Sequence, residues 1–178
     1  LDKYIPKFKN TPFPKNDSLE TYKELLEIKH AMEAEYNSMS VYKMIDDDVF
    51  KYYGLAFSKI GLNVNMAVVE KISTWLAPLF MKLKMFYQRP RPFQLAIYTD
   101  IELYPYASFP AQAPAYPSGH GGQSYFLCLV MSEFFPELKS EIMAIADVVS
   151  YARIVRGVHF HSDNVFGRYI ASEILKTP

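Results

Sequence analysis

The sequence has very little cysteine, and its charges cancel. It contains one cysteine in 178 residues, and a single thiol cannot form a disulfide within the chain. Cys128 is therefore interpreted as a small hydrophobic core residue. Lys and Arg number 19, as do Asp and Glu, so the chain has no net charge to attract a polyanion. We expect no nucleic-acid partner.

Long uncharged hydrophobic runs are also missing. The two most apolar stretches, 64–87 and 121–135, are interrupted by charged side chains, so neither is predicted to be a transmembrane segment. Half of the residues are nonetheless apolar, which argues against a disordered chain. Length and composition together predict one soluble globular domain with a sizeable core.

The pattern along the chain is helical. It shows no strand-like alternation of useful length and no internal repeat. Prolines at positions 6, 12 and 14 predict an irregular N-terminal arm over residues 1–16, followed by a helical domain over residues 17–178. The predicted fold class is all-α, a compact single-domain bundle of about six or more helices.

Individual helices are predicted from apolar periodicity and from capping residues. Asp17 and Glu20 have the spacing of a capping box and mark the start of the first helix. Leu19, Leu25 and Met32 recur on one of its faces. The further helices are predicted at about 41–58, 64–83, 118–133, 136–157 and 162–175. Residues 89–117 contain six prolines and are predicted to form an irregular wall of a functional site.

Two short segments place basic and imidazole side chains beside predicted helix ends. Lys84 is close to the end of one helix, and Arg91 follows in a stretch that prolines hold rigid. In the run Pro-Ser-Gly-His, Ser118 can cap a helix whose free N–H groups point at an anion, and Gly119 permits close backbone approach. His120 then lies in the mouth of a predicted phosphate cradle.

A third segment supplies a candidate nucleophile. His159 and Asp163 are one helical turn apart, so the carboxylate can accept the imidazole N–H and leave the other nitrogen free to attack. Arg153 precedes them as a further cation. Fixed cations, a nucleophile and a proton donor are the groups that phosphoryl transfer requires. We predict that His159 is the nucleophile and His120 the proton donor, acting on a small phosphorylated substrate.

The three segments together resemble a known family. Lys-x6-Arg-Pro, Pro-Ser-Gly-His and Arg-x5-His-x3-Asp, over residues 84–163, are similar to the signatures of the type 2 phosphatidic acid phosphatase superfamily. That superfamily includes the class A non-specific acid phosphatases, which the run Arg91-Pro-Phe resembles most, and the vanadium haloperoxidases. The resemblance implies a phosphomonoesterase that acts through a phosphohistidine and needs neither a metal nor another cofactor. It implies catalytic roles for His159, His120 and Asp163, and phosphate-binding roles for Lys84, Arg91, Ser118, Gly119 and Arg153.

Two alternative functions are compatible with the same residues. One is a vanadium-dependent haloperoxidase, for which vanadate would be a cofactor rather than an inhibitor, although the chain is short for that class. The other is a lipid phosphate or diphosphate phosphatase that works at a membrane surface. The resemblance is also compatible with a secreted or periplasmic location and with a homodimer. Because His159 must be neutral and His120 protonated, we predict a mildly acidic to neutral pH optimum.

The first signature can be aligned in two registers. Lys82 and Arg89 have the same spacing as Lys84 and Arg91, and a proline follows each arginine. The second register is preferred because Phe93 follows it, as in the acid phosphatases.

Other charged residues receive structural interpretations. Arg89 and Arg156 are interpreted as solvated charges or as residues that support the site from behind. The run 46–48 of three aspartates lacks the alternating spacing of a calcium loop and is interpreted as a solvated helix face or turn. His30 and His161 have no local partner and are interpreted as structural or surface residues.

Overall fold

A computed structural model describes residues 1–104 and 108–176, apart from the side chains of residues 109 and 110. Every regular element among these residues is a helix, which confirms the all-α prediction. None of these helices combines the length and the apolar character needed to cross a bilayer. The α-helices are α1 (Ile5–Phe8), α2 (Leu19–Ala34), α3 (Met39–Asp47), α4 (Val49–Lys59), α5 (Met66–Thr74), α6 (Ala77–Tyr87), α7 (Pro92–Ala96), α8 (Gly119–Phe134), α9 (Lys139–Val155) and α10 (His161–Leu175). Short 3-10 helices cover Asp2–Tyr4, Tyr36–Ser38, Phe109–Gln112 and Pro136–Leu138.

Helix α8 lies at the centre of the fold, between α9 and α10. One buried cluster joins α8 and α9 to α3, α4 and α5, and it includes Cys128, as predicted for that thiol. A second cluster joins α8 and α10 to α1 and α6. A third packs α2 against the end of α9 and the residues that follow it, with Ile28 and Phe160 both buried. The segments that carry the three signatures therefore meet near the middle of the molecule.

Two glycines allow α8 and α10 to pack with their backbones in contact. A Cβ atom added at Gly122 would lie 2.1 Å from Cζ of Phe80 and 2.8 Å from the carbonyl oxygen of Gly167. A Cβ added at Gly167 would lie 2.7 Å from the carbonyl oxygen of Ser118. This approach lets the Ser118 N–H donate to the carbonyl oxygen of Asp163 at 2.9 Å. The crossing of α8 and α10 thus joins the second signature to the third.

The N-terminal arm is more regular than predicted. Residues 2–8 form a 3-10 helix and then α1, so the prediction of an irregular arm was wrong there. Pro6 lies in the first turn of α1, where a missing N–H breaks no helical hydrogen bond. Phe8 is fully buried, with its ring 6.5 Å from that of Phe166. The arm is therefore part of the hydrophobic core.

Several predicted helix boundaries needed correction. Ser18, rather than Asp17, caps α2 by accepting the Thr21 N–H at 3.2 Å. The helix predicted over 41–58 is broken at Asp48, whose carboxylate accepts the Lys51 N–H at 3.0 Å and so starts α4.

Two longer segments also differ from their predictions. The helix predicted over 64–83 is two helices, and Pro78 lies in the first turn of α6 instead of kinking a longer helix. The proline-rich segment contains α7 and one 3-10 helix. Residues 105–107 of that segment lie outside the described residues.

Candidate active site

The ring of His159 is held at both nitrogens in the buried turn between α9 and α10. Its Nδ1 lies 3.0 Å from Oδ2 of Asp163, which also accepts the Phe160 N–H at 2.9 Å. Its Nε2 lies 2.9 Å from Nη1 of Arg91. A guanidinium can only donate, so Nε2 accepts and Nδ1 carries the proton. The neutral imidazole therefore has its lone pair on Nε2, beside a fixed cation.

Backbone carbonyls of the proline-rich segment hold the two cations of the first signature. Lys84 Nζ donates to the carbonyl oxygens of residues 114 and 115 at 2.7 and 3.0 Å. Arg91 donates through Nε to the carbonyl of residue 113 at 2.8 Å and through Nη1 to that of Val158 at 2.7 Å. Lys82, in contrast, is on the surface and pairs with Asp2 at 2.5 Å. The structure thus brings Lys84 and Arg91 to the site and leaves Lys82 outside it.

The second signature forms the N-terminus of α8. Ser118 is buried, and its Oγ accepts the Gly121 N–H at 3.2 Å. The N–H groups of Gly119 and His120 are in the first turn, where the helix has no carbonyl for them. A Cβ added at Gly119 would lie 3.8 Å from Cε of Lys84, so the helix start adjoins that lysine. A helix N-terminus beside a cation is a favourable place for an anion.

The pKa values of the site reflect burial first and neighbouring positive charges second. Burial, together with the charges of Lys84 and Arg91, lowers the pKa of His120 to about 4. Burial and the same two cations, with smaller effects from Arg153 and His120, hold the pKa of His159 well below its usual range. Burial lowers the pKa of Arg91 to about 10 and that of Lys84 well below its ordinary value. Both imidazoles are therefore neutral at neutral pH, and the site favours an added negative charge.

Arg89 is fully buried directly behind the site. Its Nη1 donates to Oδ1 of Asp163 and to Oγ of Ser162, both at 2.7 Å, and its Nη2 donates to Oε2 of Glu24 at 3.1 Å. The alternative that Arg89 is a solvated charge was therefore wrong, and it supports the site from behind. Burial raises the pKa of Asp163, whereas Arg89 and the Phe160 N–H favour the ionised carboxylate.

Arg153 is buried next to the site but pairs with an aspartate. Its guanidinium contacts Asp46, which also lies 3.6 Å from Nε of Arg156. Burial, and secondarily the charge of Arg156, lowers the pKa of Arg153 to about 9. The interpretation of Asp46 as solvated was wrong, and so was the solvated alternative for Arg156, because both are buried. The arginine predicted to bind phosphate is thus near His159 but directed towards α3.

Open space adjoins the site on one side. A cavity of about 350 Å³ is lined by Arg91, Gln94 and the backbone wall at 111–114. A larger cavity of about 680 Å³ lies beyond Glu24 and is lined by none of the predicted catalytic or phosphate-binding residues. In the part of the chain that the structure describes, no three His, Cys, Asp or Glu side chains are grouped as a metal site. His30 and His161 are exposed, as interpreted from the sequence.

The sequence interpretation missed two acidic residues that adjoin the predicted set. Glu24 contacts Arg89, and Asp46 contacts Arg153. Glu24 lies on the buried face of α2 between Thr21 and Ile28, where a charge needs a partner, but the apolar periodicity of the sequence does not mark that face. Asp46 is similarly placed beside a buried Ile in α3.

Comparisons with known proteins agree with the position of the three signatures. The model of the PAP2 superfamily matches residues 60–175. The non-specific acid phosphatases of Salmonella typhi and Salmonella typhimurium are each 32% identical to the chain over 89 residues. Those residues are 50% of this chain and 35% of each relative, so the match spans about a third of the relatives' length. Glu24 and Asp46 precede the part of the chain that matches the superfamily.

Proposed function

The chain belongs to the PAP2 superfamily, and we propose that it is a phosphatase that hydrolyses phosphate monoesters through a phosphohistidine on His159. Membership and the acid phosphatase relatives support a phosphatase. The observation that carries the finer proposal is the hydrogen bonding of the His159 ring. Asp163 holds Nδ1–H, and the Nε2 lone pair points at Arg91. A neutral imidazole fixed in this way is suited to attack phosphorus in an anion.

Buried charge supports an anionic substrate. Among the described residues, five buried basic side chains accompany three buried acidic side chains, so the basic ones outnumber the acidic ones by two. A phosphate monoester dianion has the complementary charge. We propose that these cations stabilise the transferring phosphoryl group without a metal or other cofactor. The basic residues are Lys84, Arg89, Arg91, Arg153 and Arg156, and the acidic ones are Glu24, Asp46 and Asp163.

The first half of the proposed reaction transfers the phosphoryl group to the enzyme. Arg91 moves from Nε2 of His159 to a phosphate oxygen as the substrate enters. The Nε2 lone pair then attacks phosphorus, and the bond from phosphorus to the ester oxygen breaks. His120, protonated in the complex, gives its proton to the leaving alkoxide. Asp163 stabilises the positive charge that develops on the imidazole through the Nδ1–H.

The second half returns the enzyme to its starting state. His120, now neutral, takes a proton from a water molecule as that water attacks the phosphohistidine. The phosphorus–nitrogen bond breaks, its electron pair returns to Nε2, and inorganic phosphate leaves. Throughout, Lys84, Ser118 and the Gly119 N–H would hold the phosphate oxygens. Arg153 would contact an oxygen only by leaving Asp46, and otherwise acts through its charge.

The first test compares hydrolysis of p-nitrophenyl phosphate by the unmodified chain and by His159→Ala. We expect kcat/KM to fall by at least about a thousandfold, because the nucleophile is lost. His30→Ala, an exposed histidine on α2, is the matched control and should keep the unmodified rate. Rapid quenching of the unmodified enzyme should trap an acid-labile phosphohistidine that His159→Ala lacks.

Vanadate separates this proposal from the haloperoxidase alternative. We expect it to inhibit hydrolysis competitively, since it resembles the phosphoryl group in the transition state. Near-normal hydrolysis by His159→Ala would contradict the phosphohistidine mechanism. An unmodified chain that releases no phosphate from simple monoesters, but oxidises halide with vanadate bound, would contradict the phosphatase proposal altogether.

A further inference from the structure

Glu24 stands at the far end of a line of charged contacts that leads to His159. Glu24 Oε2 accepts from Nη2 of Arg89 at 3.1 Å, and Arg89 Nη1 donates to Oδ1 of Asp163 at 2.7 Å. Asp163 Oδ2 then accepts from Nδ1 of His159 at 3.0 Å. The glutamate is only 7% exposed, so this is not a loose surface ion pair. Each residue in the line from His159 to Glu24 is positioned by its contact with the next residue towards Glu24.

Glu24 also holds the start of α10. Its Oε1 accepts the Ser162 N–H at 2.6 Å, and its Oε2 accepts from Oγ of Ser162 at 2.9 Å. Ser162 immediately precedes Asp163, and Arg89 donates to the Ser162 hydroxyl as well. One carboxylate therefore fixes both the guanidinium that contacts Asp163 and the backbone from which Asp163 extends.

We propose that Glu24 is a positioning residue for phosphoryl transfer, which holds Arg89 and α10 so that Asp163 keeps His159 in its reactive orientation. This inference rests on the function proposed above. With Glu24 present, the guanidinium is shared between two carboxylates, so Asp163 keeps negative charge for the imidazole N–H. Without it, Arg89 acts on Asp163 alone and weakens the hydrogen bond to Nδ1.

The N-terminal part of the chain thus acquires a role that the signatures do not specify. Helix α2 precedes residues 60–175, the part matched by the superfamily. Glu24 touches neither His159 nor the cradle, so it would act on the reaction only through Arg89 and Asp163. Its removal should slow the chemical step and leave substrate binding almost unchanged.

Glu24→Gln tests this role, because it removes the charge and keeps the size and an acceptor for Ser162. We expect kcat to fall about tenfold, a loss typical for an outer partner of a functional histidine, with KM nearly unchanged. Glu27→Gln is the control, since Glu27 is an exposed carboxylate one turn further along α2. Glu24→Asp restores the charge at a shorter reach and should give an intermediate kcat.

Proton–nitrogen NMR of isotope-labelled histidine provides a readout that does not need activity. The chain has only four histidines, so the Nδ1–H signal of His159 can be assigned by its loss in His159→Ala. We expect that signal to move in Glu24→Gln and in Glu24→Asp, and to stay in place in Glu27→Gln. An unmodified chain without phosphatase activity would overturn the proposed function, while a shifted signal would still show that Glu24 is coupled to His159.

Two results would overturn the role of Glu24. One is a folded Glu24→Gln protein with the unmodified kcat and an unmoved His159 signal. The other is a Glu24→Asp protein no more active than Glu24→Gln, which would mean that packing rather than charge matters at this position. If Glu24→Gln does not fold, Glu24→Asp alone decides, because an unmoved signal with unchanged kcat contradicts the proposal.

Discussion

His120 determines how the proposed reaction should respond to pH. Burial, with the charges of Lys84 and Arg91, lowers its pKa to about 4, so the free protein holds a neutral His120 at neutral pH. A general acid must be protonated, and the fraction of free enzyme with a protonated His120 falls as pH rises above that pKa. Bound phosphate dianion opposes the two cations and raises the pKa of His120 again. We therefore expect kcat to keep its maximum to a higher pH than kcat/KM does.

Steady-state kinetics with phenyl phosphate, whose basic leaving group depends on a proton donor, measure both limbs over the acidic to neutral range. His120→Ala is the control. Its kcat should no longer fall as pH rises, whereas its kcat/KM should keep any pH dependence that arises from ionisation of the substrate. His159 adds no loss in mildly acid solution, since its pKa is held well below its usual range and it stays neutral there. A kcat that is independent of pH in the unmodified protein would argue against His120 as the proton donor.

Contacts between residues close in sequence were the ones that the sequence could predict. The four-residue spacing of His159 and Asp163 predicted a hydrogen bond that the structure contains at 3.0 Å. The pairs Arg89 with Glu24 and Arg153 with Asp46 join positions far apart along the chain. No periodicity connects such positions, so the partners of the buried arginines became visible only in three dimensions.

The close packing of α8 against α10 leads to a prediction about the stability of the fold. Gly122→Ala would place a methyl group 2.1 Å from Phe80 Cζ and 2.8 Å from the backbone oxygen of Gly167, which cannot turn away. We expect the free energy of unfolding to fall by about 1–3 kcal/mol or more, as for other overpacked cores. Activity should fall too, because α10 carries Asp163.

Gly54→Ala is the matched comparison for that substitution. Gly54 lies inside α4, and the nearest atom to an added Cβ is Sδ of Met66 at 3.7 Å, an ordinary contact. Alanine there should raise the free energy of unfolding by about 0.5–1 kcal/mol, because glycine has the more flexible unfolded chain. Thermal or urea unfolding measures both variants. Equal stability of the two would show that α8 and α10 can separate without cost.

Helix existence was predicted better than helix boundaries and faces. The predictions of α8 and α10 match the observed ranges to within one residue at each end. In α2, Leu25 and Met32 are buried as predicted, but Leu19 is 68% exposed. The true buried face runs through Thr21 and Ile28, which periodicity in apolar residues alone could not locate.

At the scale of the whole molecule, the buried charges are not balanced. The described residues bury two more basic than acidic side chains, although the full chain has equal numbers of each. Composition therefore concealed the feature that favours an anion, because the sequence records which charges exist but not which ones are buried. The homodimer and the secreted or periplasmic location remain predictions from the resemblance.

The imbalance predicts that phosphate stabilises the whole fold. Burial, together with the charge of Arg91, lowers the pKa of Lys84, so the folded protein disfavours the charged ammonium. An anion that binds only the folded state offsets this effect. At a hundred times its Kd, phosphate should add about 2.7 kcal/mol to the free energy of unfolding and raise Tm by about 5–10 °C. Differential scanning fluorimetry at neutral pH, in phosphate and in chloride of equal ionic strength, measures the shift.

Arg91→Met is the control variant for this shift. It should lose most of the increase in Tm, because Arg91 contacts the proposed anion site. A Tm of the unmodified protein that is equal in both salts would mean that the buried cations do not bind phosphate.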